Sequence, residues 1–267
     1  MIQYHKQNTE GAITIQEYPE NFKLEDTTIW SFPSRGNWAT HSGKYPGNWS
    51  PYVPRNLILR YSQKNDWILD PFLGSGTTLI EARLLGRNAI GVDINPKSIQ
   101  LSNSNLTFHS SETSKIFTRT GDAKDLSFLK AQSMDLICTH PPYANIIRYS
   151  KDLPEDLSLL PYEDFICAIE KVAKECFRIL KKDGICAFMI GDIRKNGYVL
   201  PLGLRAMQVF TNTGFVLKEI IIKEQHKCQS TNYWRKRKPD FLLLAHEYIF
   251  VLEKPCNGRP VYDKLST

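Results

Sequence analysis

The chain has 267 residues, a length at which one α/β domain with a single buried core is expected. Its formal net charge of +6 is modestly basic, which permits a polyanionic partner without establishing one. The six cysteines stand singly without a CxxC pair, and no apolar run approaches the roughly 20 residues of a membrane span, so we expect neither a metal site nor a membrane segment.

The first 50 residues are predicted to form an N-terminal cap. Aromatic, Gly, Pro and polar residues mix there without a sustained period of 3.6 or 2, and regular structure is predicted to begin near Tyr52. The N-terminus lacks the basic and apolar regions of a signal peptide, so we expect a cytoplasmic protein with reduced thiols. Residues 51–267 are predicted to form the main domain, in one compact unit with residues 1–50.

Helical and strand patterns alternate along the main domain. Apolar spacing predicts helices at residues 54–60, 77–85, 96–105, 162–180 and 202–213. Short apolar runs predict strands at residues 66–70, 89–92, 115–119, 135–138 and 185–190, and an antiparallel pair at a sheet edge from residues 215–222 and 246–252. The alternation predicts an α/β fold, namely a doubly wound, mostly parallel, Rossmann-like sheet with an antiparallel edge hairpin.

Residues 70–78 (DPFLGSGTT) place two glycines between a predicted strand and helix. Such a turn lets backbone N–H groups approach a ligand closely, although it also begins helices in unrelated α/β proteins. Asp93 ends the next strand, where a carboxylate accepts both ribose hydroxyls of an adenosine. Asp122 follows a later strand and accepts the adenine amino group, or belongs to an ordinary Gly-Asp turn. The third glycine of the dinucleotide pattern is absent, which argues against NAD.

The strand at 135–138 leads into the loop His140-Pro141-Pro142-Tyr143. Two prolines remove two N–H donors and leave carbonyl groups as acceptors. The lone pair of an exocyclic base amine is delocalised, and acceptors on both of its protons favour the tetrahedral nitrogen that attacks a methyl group. The Pro141 carbonyl and the His140 side chain are candidate acceptors, and Tyr143 is a candidate for stacking on a flipped base. The alternative interpretation is a Pro-Pro turn after a strand.

With DPFLGSGTT, GVDINP and THPPY in this order, the chain resembles the amino-methyltransferases of DNA over residues 40–252. The glycine loop of that family reads F-x-G-x-G, and its catalytic loop reads D/N/S-P-P-Y/F/W. The resemblance implies S-adenosyl-L-methionine as the cofactor and a single Rossmann-like methyltransferase domain. It implies cofactor binding by Lys44, Asn48, Asp70, Phe72, Gly74, Gly76, Thr77, Asp93 and Asp122, and catalysis by His140, Pro141, Pro142 and Tyr143.

His140 departs from the family pattern. Relatives that act on adenine usually have Asp or Asn at this position, and those that act on cytosine usually have Ser. Adenine N6 and cytosine N4 therefore both stay open, with adenine favoured because DNA amino-methylation is more often on adenine. A neutral imidazole accepts an amine proton, whereas a protonated His140 offers only donors. Activity is therefore expected to fall as the pH decreases through the ordinary His pKa of about 6.5.

Residues 223–240 (KEQHKCQSTNYWRKRKPD) interleave cations with aromatic side chains, as a nucleic-acid surface requires. The alternative is a solvated hairpin loop whose charges keep a sheet edge from pairing. The candidate nucleic-acid contacts are Lys227, Tyr233, Trp234, Arg235, Lys236, Arg237 and Lys238, together with Arg148 in the segment that follows the catalytic loop.

These features together predict a site-specific methyltransferase that acts on a flipped base in double-stranded DNA, in restriction–modification or epigenetic marking. Recognition of the site would use these short loops, a homodimer, or a cognate restriction or recognition subunit. Two alternatives stay open. One is a tRNA or other RNA methyltransferase of the guanine-N2 type, which has a similar catalytic loop, and the other is a non-catalytic nucleic-acid-binding subunit with the same fold.

Overall fold

The computed structural model describes residues 3–6, 13–144, 147–150, 152–237 and 240–256. Its strands are β1 (Gln3–Lys6), β2 (Ile13–Gln16), β3 (Ile29–Trp30), β4 (Trp67–Asp70), β5 (Asn88–Asp93), β6 (Ile116–Thr120), β7 (Met134–Thr139), β8 (Leu180–Ile190), β9 (Ile193–Lys195), β10 (Tyr198–Leu200), β11 (Val216–Glu224) and β12 (His246–Glu253). Its α-helices are α1 (Tyr52–Tyr61), α2 (Thr77–Leu84), α3 (Pro96–Asn105), α4 (Tyr162–Ile179), α5 (Leu202–Thr213) and α6 (Gln229–Arg235), and Leu157–Leu159 form one 3-10 turn.

An eight-stranded mixed sheet forms the centre of the fold, in the order β3-β11-β12-β8-β7-β4-β5-β6. Strands β4 to β8 run parallel, and β12 runs antiparallel to both β8 and β11. This confirms the doubly wound sheet and the antiparallel pair. The pair is not the outermost element, however, because β3 adds two residues in parallel to the free side of β11.

Both faces of the sheet are buried, which explains the continuous apolar runs of its central strands. Alternate residues point to opposite faces, so that Ile137 belongs to the core cluster on one face and Leu136 to the cluster on the other. Helices α4 and α5 cover the first face, and α1 and α2 cover the second. Among the residues that the structure describes, no helix is long and apolar enough to cross a membrane.

The predicted helices and strands of the main domain are all present, α3 and α5 with the predicted bounds and the others with shifted ends. The largest shift is in β8, which begins at Leu180 directly after α4 instead of at residue 185. Six elements carry too few residues to show a period and were missed, namely β1 and β2, β3, β9 and β10, and α6. Regular structure therefore begins well before Tyr52, which corrects the prediction for the N-terminal residues.

The direction in which successive strands are added to the sheet reverses at β4. Strands β4, β5 and β6 follow one another toward one edge, and the chain then returns to place β7 on the other side of β4. In an open α/β sheet this switch point leaves a crevice at the carboxyl ends of the strands, where ligands bind. The loop after β4 and the loop after β7 therefore lie side by side.

A buried carboxylate on α2 attaches the N-terminal segment to this core. Glu81 is fully buried, and its oxygens lie 2.7 Å from Trp38 Nε1, 2.7 Å from His41 Nε2 and 2.7 Å from Arg55 Nη1. The indoles of Trp30, Trp38 and Trp49 are buried in the core cluster on the α2 face. The domain boundary between residues 50 and 51 stays a prediction.

We expect Glu81→Ala to lower the free energy of unfolding by about 3–5 kcal/mol. The substitution leaves the Arg55 guanidinium and the Trp38 N–H buried without their acceptor. Glu112→Ala is the matched control, because the partner of Glu112, Lys64, has a side chain that is 63% exposed, and an exposed ion pair contributes about 0–1 kcal/mol. Urea unfolding measures both variants, and equal losses would contradict an anchoring role for Glu81.

Candidate active site

A pocket, called here the strand-end pocket, lies at the carboxyl ends of β4 and β5. The loop after β4, residues 70–78, forms one wall, and the N-terminal segment and the loop after β7 form others. Its lining includes Tyr45, Asn48, Trp49, Asp70, Phe72, Gly74, Asp93, Asn95, Asp122, His140, Pro142, Tyr149 and Asp156.

The glycine loop and Asp93 hold each other in place within this pocket. Asp93 Oδ2 accepts a hydrogen bond from Gly74 N–H at 2.9 Å, and Asp93 Oδ1 accepts one from Asn95 N–H at 2.8 Å. Gly74 has a φ of +52°, and a Cβ at this position would lie 3.1 Å from the Tyr45 ring. A glycine is thus required both by the left-handed backbone and by the close approach of the aromatic ring.

The structure brings most of the predicted cofactor residues together. Asp70, Phe72, Gly74, Asp93, Asp122 and Asn48 all line the strand-end pocket. Gly76 and Thr77 lie behind the lining, where Thr77 Oγ1 donates to Asn48 Oδ1 at 2.6 Å and so fixes Asn48 against the glycine loop. Lys44 is exposed and lies outside the lining, because its side chain faces solvent from the loop before Asn48.

Three further lining residues were missed. Tyr45 and Tyr149 stack with their ring centroids 5.8 Å apart, and burial raises the pKa of Tyr45 to about 12. Asp156 is buried and accepts hydrogen bonds from Ser150 Oγ and from Ser158 N–H. The segments that hold them, residues 41–60 and 145–156, are candidates for cofactor or substrate contact by sequence, but these loops have no regular period that would identify the single residues.

A larger cleft of about 750 Å³ adjoins the strand-end pocket. The N-terminal segment, the catalytic loop His140–Tyr143, the start of β9, and the segment from β11 to α6 form its walls. Six residues line both openings: Gly47, Asn48, Trp49, His140, Pro142 and Tyr149. The catalytic loop therefore forms part of the boundary where the pocket meets the cleft.

A chain of hydrogen bonds runs from the catalytic loop to the far strands of the sheet. His140 Nε2 lies 2.8 Å from the Tyr143 hydroxyl, which donates to Glu247 Oε1 at 2.7 Å. Lys223 Nζ donates to Glu247 Oε2 at 3.0 Å. The His140 ring also stacks on Trp49, with ring centroids 5.6 Å apart. Glu247 was not predicted as a site residue, although a carboxylate at the start of an otherwise apolar strand could have indicated one.

The surroundings of His140 favour its neutral form. Burial lowers the pKa of His140 to about 4, and the cations Lys223 and Arg35 act in the same direction, against the opposing effect of Glu247. Burial would raise the pKa of Glu247, but Lys223 and the donated hydrogen bonds leave it below its ordinary value. Burial also raises the pKa of Tyr143 well above its usual range. The expectation of a fall in activity near pH 6.5 is therefore corrected, because the ring stays neutral well below that pH.

Most of the described residues that were predicted to contact nucleic acid lie on or next to α6, a short helix where a loop was the alternative interpretation. Lys227 and Trp234 line the cleft. Tyr233, Arg235, Lys236 and Arg237 are exposed beside it, and the Arg237 guanidinium lies 3.5 Å from the centroid of the Tyr233 ring. Arg148 is exposed and does not line the cleft, and Lys238 lies outside the described residues.

Comparison with known proteins defines the fold first. A solved S-adenosylmethionine-dependent methyltransferase from Methanosarcina mazei superposes with a TM-score of 0.54 at 16% identity, covering 74% of this chain and 97% of that one. The fold is therefore the Rossmann-like methyltransferase fold.

The family follows from the sequence comparisons. The chain belongs to the DNA methylase family of N6 and N4 methyltransferases, whose model matches residues 3–104 and 134–266. The model of the RMKL-like methyltransferase domain also matches residues 57–181. The cofactor that this fold and family imply is S-adenosylmethionine.

Two curated relatives illustrate the range of similar proteins. The Type II methyltransferase M.BglI of Bacillus subtilis is 40% identical over 113 residues, which are 41% of this chain and 31% of that protein. The tRNA (guanine(10)-N2)-dimethyltransferase of Methanothermobacter thermautotrophicus is 36% identical over 100 residues, which are 37% of this chain and 29% of that protein. The matched part is thus about a third of the length of each relative.

The strand-end pocket fits this cofactor chemically. The carboxylates of Asp70, Asp93, Asp122 and Asp156 line it, and carboxylates suit both ribose hydroxyls and a cationic sulfonium. The absence of a side chain at Gly74 lets the Tyr45 ring approach the loop backbone at the wall of the pocket.

We expect His140 to stay neutral from pH 8 down to about 5, because burial lowers its pKa to about 4. His140 binds a proton only as the pH falls through that lowered pKa. Titration of His140 is therefore expected to leave the rate of methyl transfer unchanged between about pH 5.5 and 8. NMR of 15N-histidine-labelled protein measures the titration, with His140→Asn to assign the signal. A midpoint near 6.5 would contradict the burial argument.

Proposed function

We propose that the chain transfers a methyl group from S-adenosylmethionine to the exocyclic amino group of a base flipped out of double-stranded DNA. Adenine N6 is the first target to test and cytosine N4 the second. The observation that carries the proposal is the position of the catalytic loop, since His140 and Pro142 line both the strand-end pocket and the cleft. A donor in the pocket and an acceptor base in the cleft would meet at this loop.

The cofactor roles follow from the lining of the strand-end pocket. Asp93 is proposed to accept the ribose hydroxyls, because each of its oxygens receives one backbone N–H and keeps a lone pair. Asp122 is proposed to accept the adenine amino group, and Phe72 and Gly74 to contact the methionine end. S-adenosylmethionine supplies an electrophilic methyl group bound to a positively charged sulfur.

The catalytic loop is proposed to prepare the amine for attack. The His140 ring and the Pro141 carbonyl each accept one N–H of the target amine, which concentrates its lone pair on nitrogen. The nitrogen forms a bond to the methyl carbon while the carbon–sulfur bond breaks and its electron pair remains on sulfur. The nitrogen is left with one proton in excess, and His140 or solvent takes it up.

The cleft is proposed to admit the flipped base and the flanking DNA backbone. Trp234 and Tyr143 line it as aromatic surfaces, and stacking offsets part of the few kcal/mol that flipping costs. Lys227 lines the cleft, and the exposed cations Arg235, Lys236 and Arg237 are placed to meet phosphates. Because these segments are short, we propose that a second copy or a cognate subunit completes recognition of a specific site.

The similarity to the tRNA guanine-N2 enzyme supports a second candidate function, since a guanine amino group needs the same two acceptors. A non-catalytic binding subunit is the third. One experiment distinguishes all three.

We expect tritium from labelled S-adenosylmethionine to appear in unmethylated plasmid DNA of mixed sequence and not in unmodified tRNA. Digestion and nucleoside mass spectrometry should then identify N6-methyladenine or N4-methylcytosine. His140→Ala should lower kcat roughly 10²-fold, the typical effect of removing one positioned proton acceptor, while calorimetry shows cofactor affinity unchanged. Asp93→Ala should instead lose cofactor affinity, and Asp125→Ala, an exposed carboxylate, should change neither quantity.

Label in tRNA alone would establish the RNA enzyme instead of the DNA enzyme. Cofactor binding without label in either nucleic acid would favour the binding subunit. Activity that survives unchanged in His140→Ala would remove His140 from the mechanism.

The cations around α6 generate a separate prediction about salt. Each phosphate contact contributes about −0.9 to the slope of log K against log salt concentration for duplex DNA. We therefore expect Arg235→Ala and Lys236→Ala each to reduce the magnitude of that slope by about 0.9. Lys171→Ala is the control, because Lys171 is exposed on α4 and does not line the cleft. Fluorescence anisotropy with duplex DNA measures the slopes, and equal slopes for all three variants would reject the α6 surface.

A further inference from the structure

We propose that Glu247 is a positioning residue that, through Tyr143, fixes His140 in the tautomer protonated at Nε2, so that Nδ1 presents a lone pair to the target amine. The inference rests on the proposed function and deepens it, since it names the accepting atom and the residue that determines it. The geometry of four side chains joined by three hydrogen bonds carries it.

Glu247 determines which groups donate and which accept along this chain of hydrogen bonds. An ionised carboxylate has no hydrogen to donate, so it only accepts. Its two oxygens receive Tyr143 OH at 2.7 Å and Lys223 Nζ at 3.0 Å. Lys223 lies directly opposite Glu247 in the β11–β12 register, and both side chains are almost fully buried. The tyrosine hydroxyl must therefore use its single hydrogen for Glu247.

The tautomer of His140 follows from that assignment. The Tyr143 oxygen lies 2.8 Å from His140 Nε2, and its hydrogen is already committed to Glu247. The oxygen can only accept from His140, which requires the hydrogen to be on Nε2. A neutral imidazole carries one N–H, so Nδ1 is left as an acceptor.

Two features hold the ring in this orientation. Trp49 stacks on His140 at an interplanar angle of 24° and limits rotation of the ring. Strand β8 separates β7 from β12, and it ends beside Gly191, where a Cβ would lie 3.2 Å from Tyr143 Cε2. The missing side chain at Gly191 lets the Tyr143 ring cross the end of β8 and reach Glu247.

Burial opposes protonation of the free nitrogen of His140, and the charged groups around the ring act in both directions. Lys223 on β11 and Arg35 in the N-terminal segment repel an imidazolium, and Glu247 on β12 attracts one. Burial has the largest effect on the pKa of His140, which it lowers to about 4, so the ring remains a neutral acceptor near neutral pH.

Glu247→Gln tests the inference because Lys223 determines how the amide is oriented. The ammonium of Lys223 has only donors, so it takes the amide oxygen and turns the NH2 group toward Tyr143. The tyrosine must then accept from the amide and donate its own hydrogen to His140 Nε2. The proton of His140 moves to Nδ1, and the acceptor for the target amine is lost.

We expect two-bond 15N–1H spectra of histidine-labelled protein to show the His140 proton on Nε2 in the wild type and on Nδ1 in Glu247→Gln. The kcat for methyl transfer should fall on the order of 10²-fold, the scale of losing one positioned acceptor, while KM and cofactor affinity stay within about 3-fold. Glu253→Gln is the matched control, because Glu253 pairs with Lys218 on the same two strands at their other end and far from the cleft. It should leave both tautomer and kcat unchanged.

A wild-type proton on Nδ1, or an unchanged tautomer in Glu247→Gln, would overturn the inference. Tyr143→Phe provides a second variant that keeps the ring and removes the link. His140 should then show both tautomers, and adding Glu247→Gln to Tyr143→Phe should shift them no further. If the wild type shows the expected tautomer but no nucleic acid is methylated, the proposed function fails and the tautomer assignment stands, so the two failures are distinguishable.

Discussion

The carboxylate of Asp70 connects the two loops on which the candidate site depends. It is buried at the end of β4 and accepts hydrogen bonds from Thr139 at the end of β7, from Thr78 in α2 and from the N–H of Phe72. Burial raises its pKa to about 6, while the two threonines oppose that shift. Because β4 and β7 flank the switch point, this single side chain fixes the glycine loop relative to the catalytic loop. With the two loops held together in this way, the strand-end pocket and the cleft meet at His140.

Charge is separated across that boundary. The strand-end pocket contains Asp70, Asp93, Asp122, Glu155 and Asp156, whereas the cleft is lined by four cations, Arg35, Arg194, Lys223 and Lys227, and by two carboxylates, Asp192 and Glu247. A negative pocket suits a cationic cofactor, and a positive cleft suits a polyanion. His140 lies on the border between the two.

Local sequence patterns were sufficient to predict the central sheet and to locate the motifs DPFLGSGTT, GVDINP and THPPY at the ends of its strands. The apolar runs of β4, β5, β7 and β8 are long enough to show burial on both faces, and Gly74 and Asp93 follow strands at the positions that a nucleoside pocket requires. The contact between Tyr143 and Glu247 spans 104 residues and depends on the order β7-β8-β12, which periodicity does not contain. The packing of the N-terminal segment against the core was likewise not contained in periodicity, because it depends on the buried carboxylate of Glu81.

The presence of histidine where related proteins usually have Asp, Asn or Ser changes what the surroundings must do. An oxygen acceptor carries its lone pairs whatever its neighbours are, but an imidazole nitrogen accepts in only one of two tautomers. A histidine at this position therefore needs a second group that accepts from its other nitrogen. Tyr143 provides that group only because Glu247 takes the tyrosine hydrogen, and Glu247 stays ionised because Lys223 lies opposite it. These side chains thus act as one unit, in which a change at any member alters what the others donate and accept.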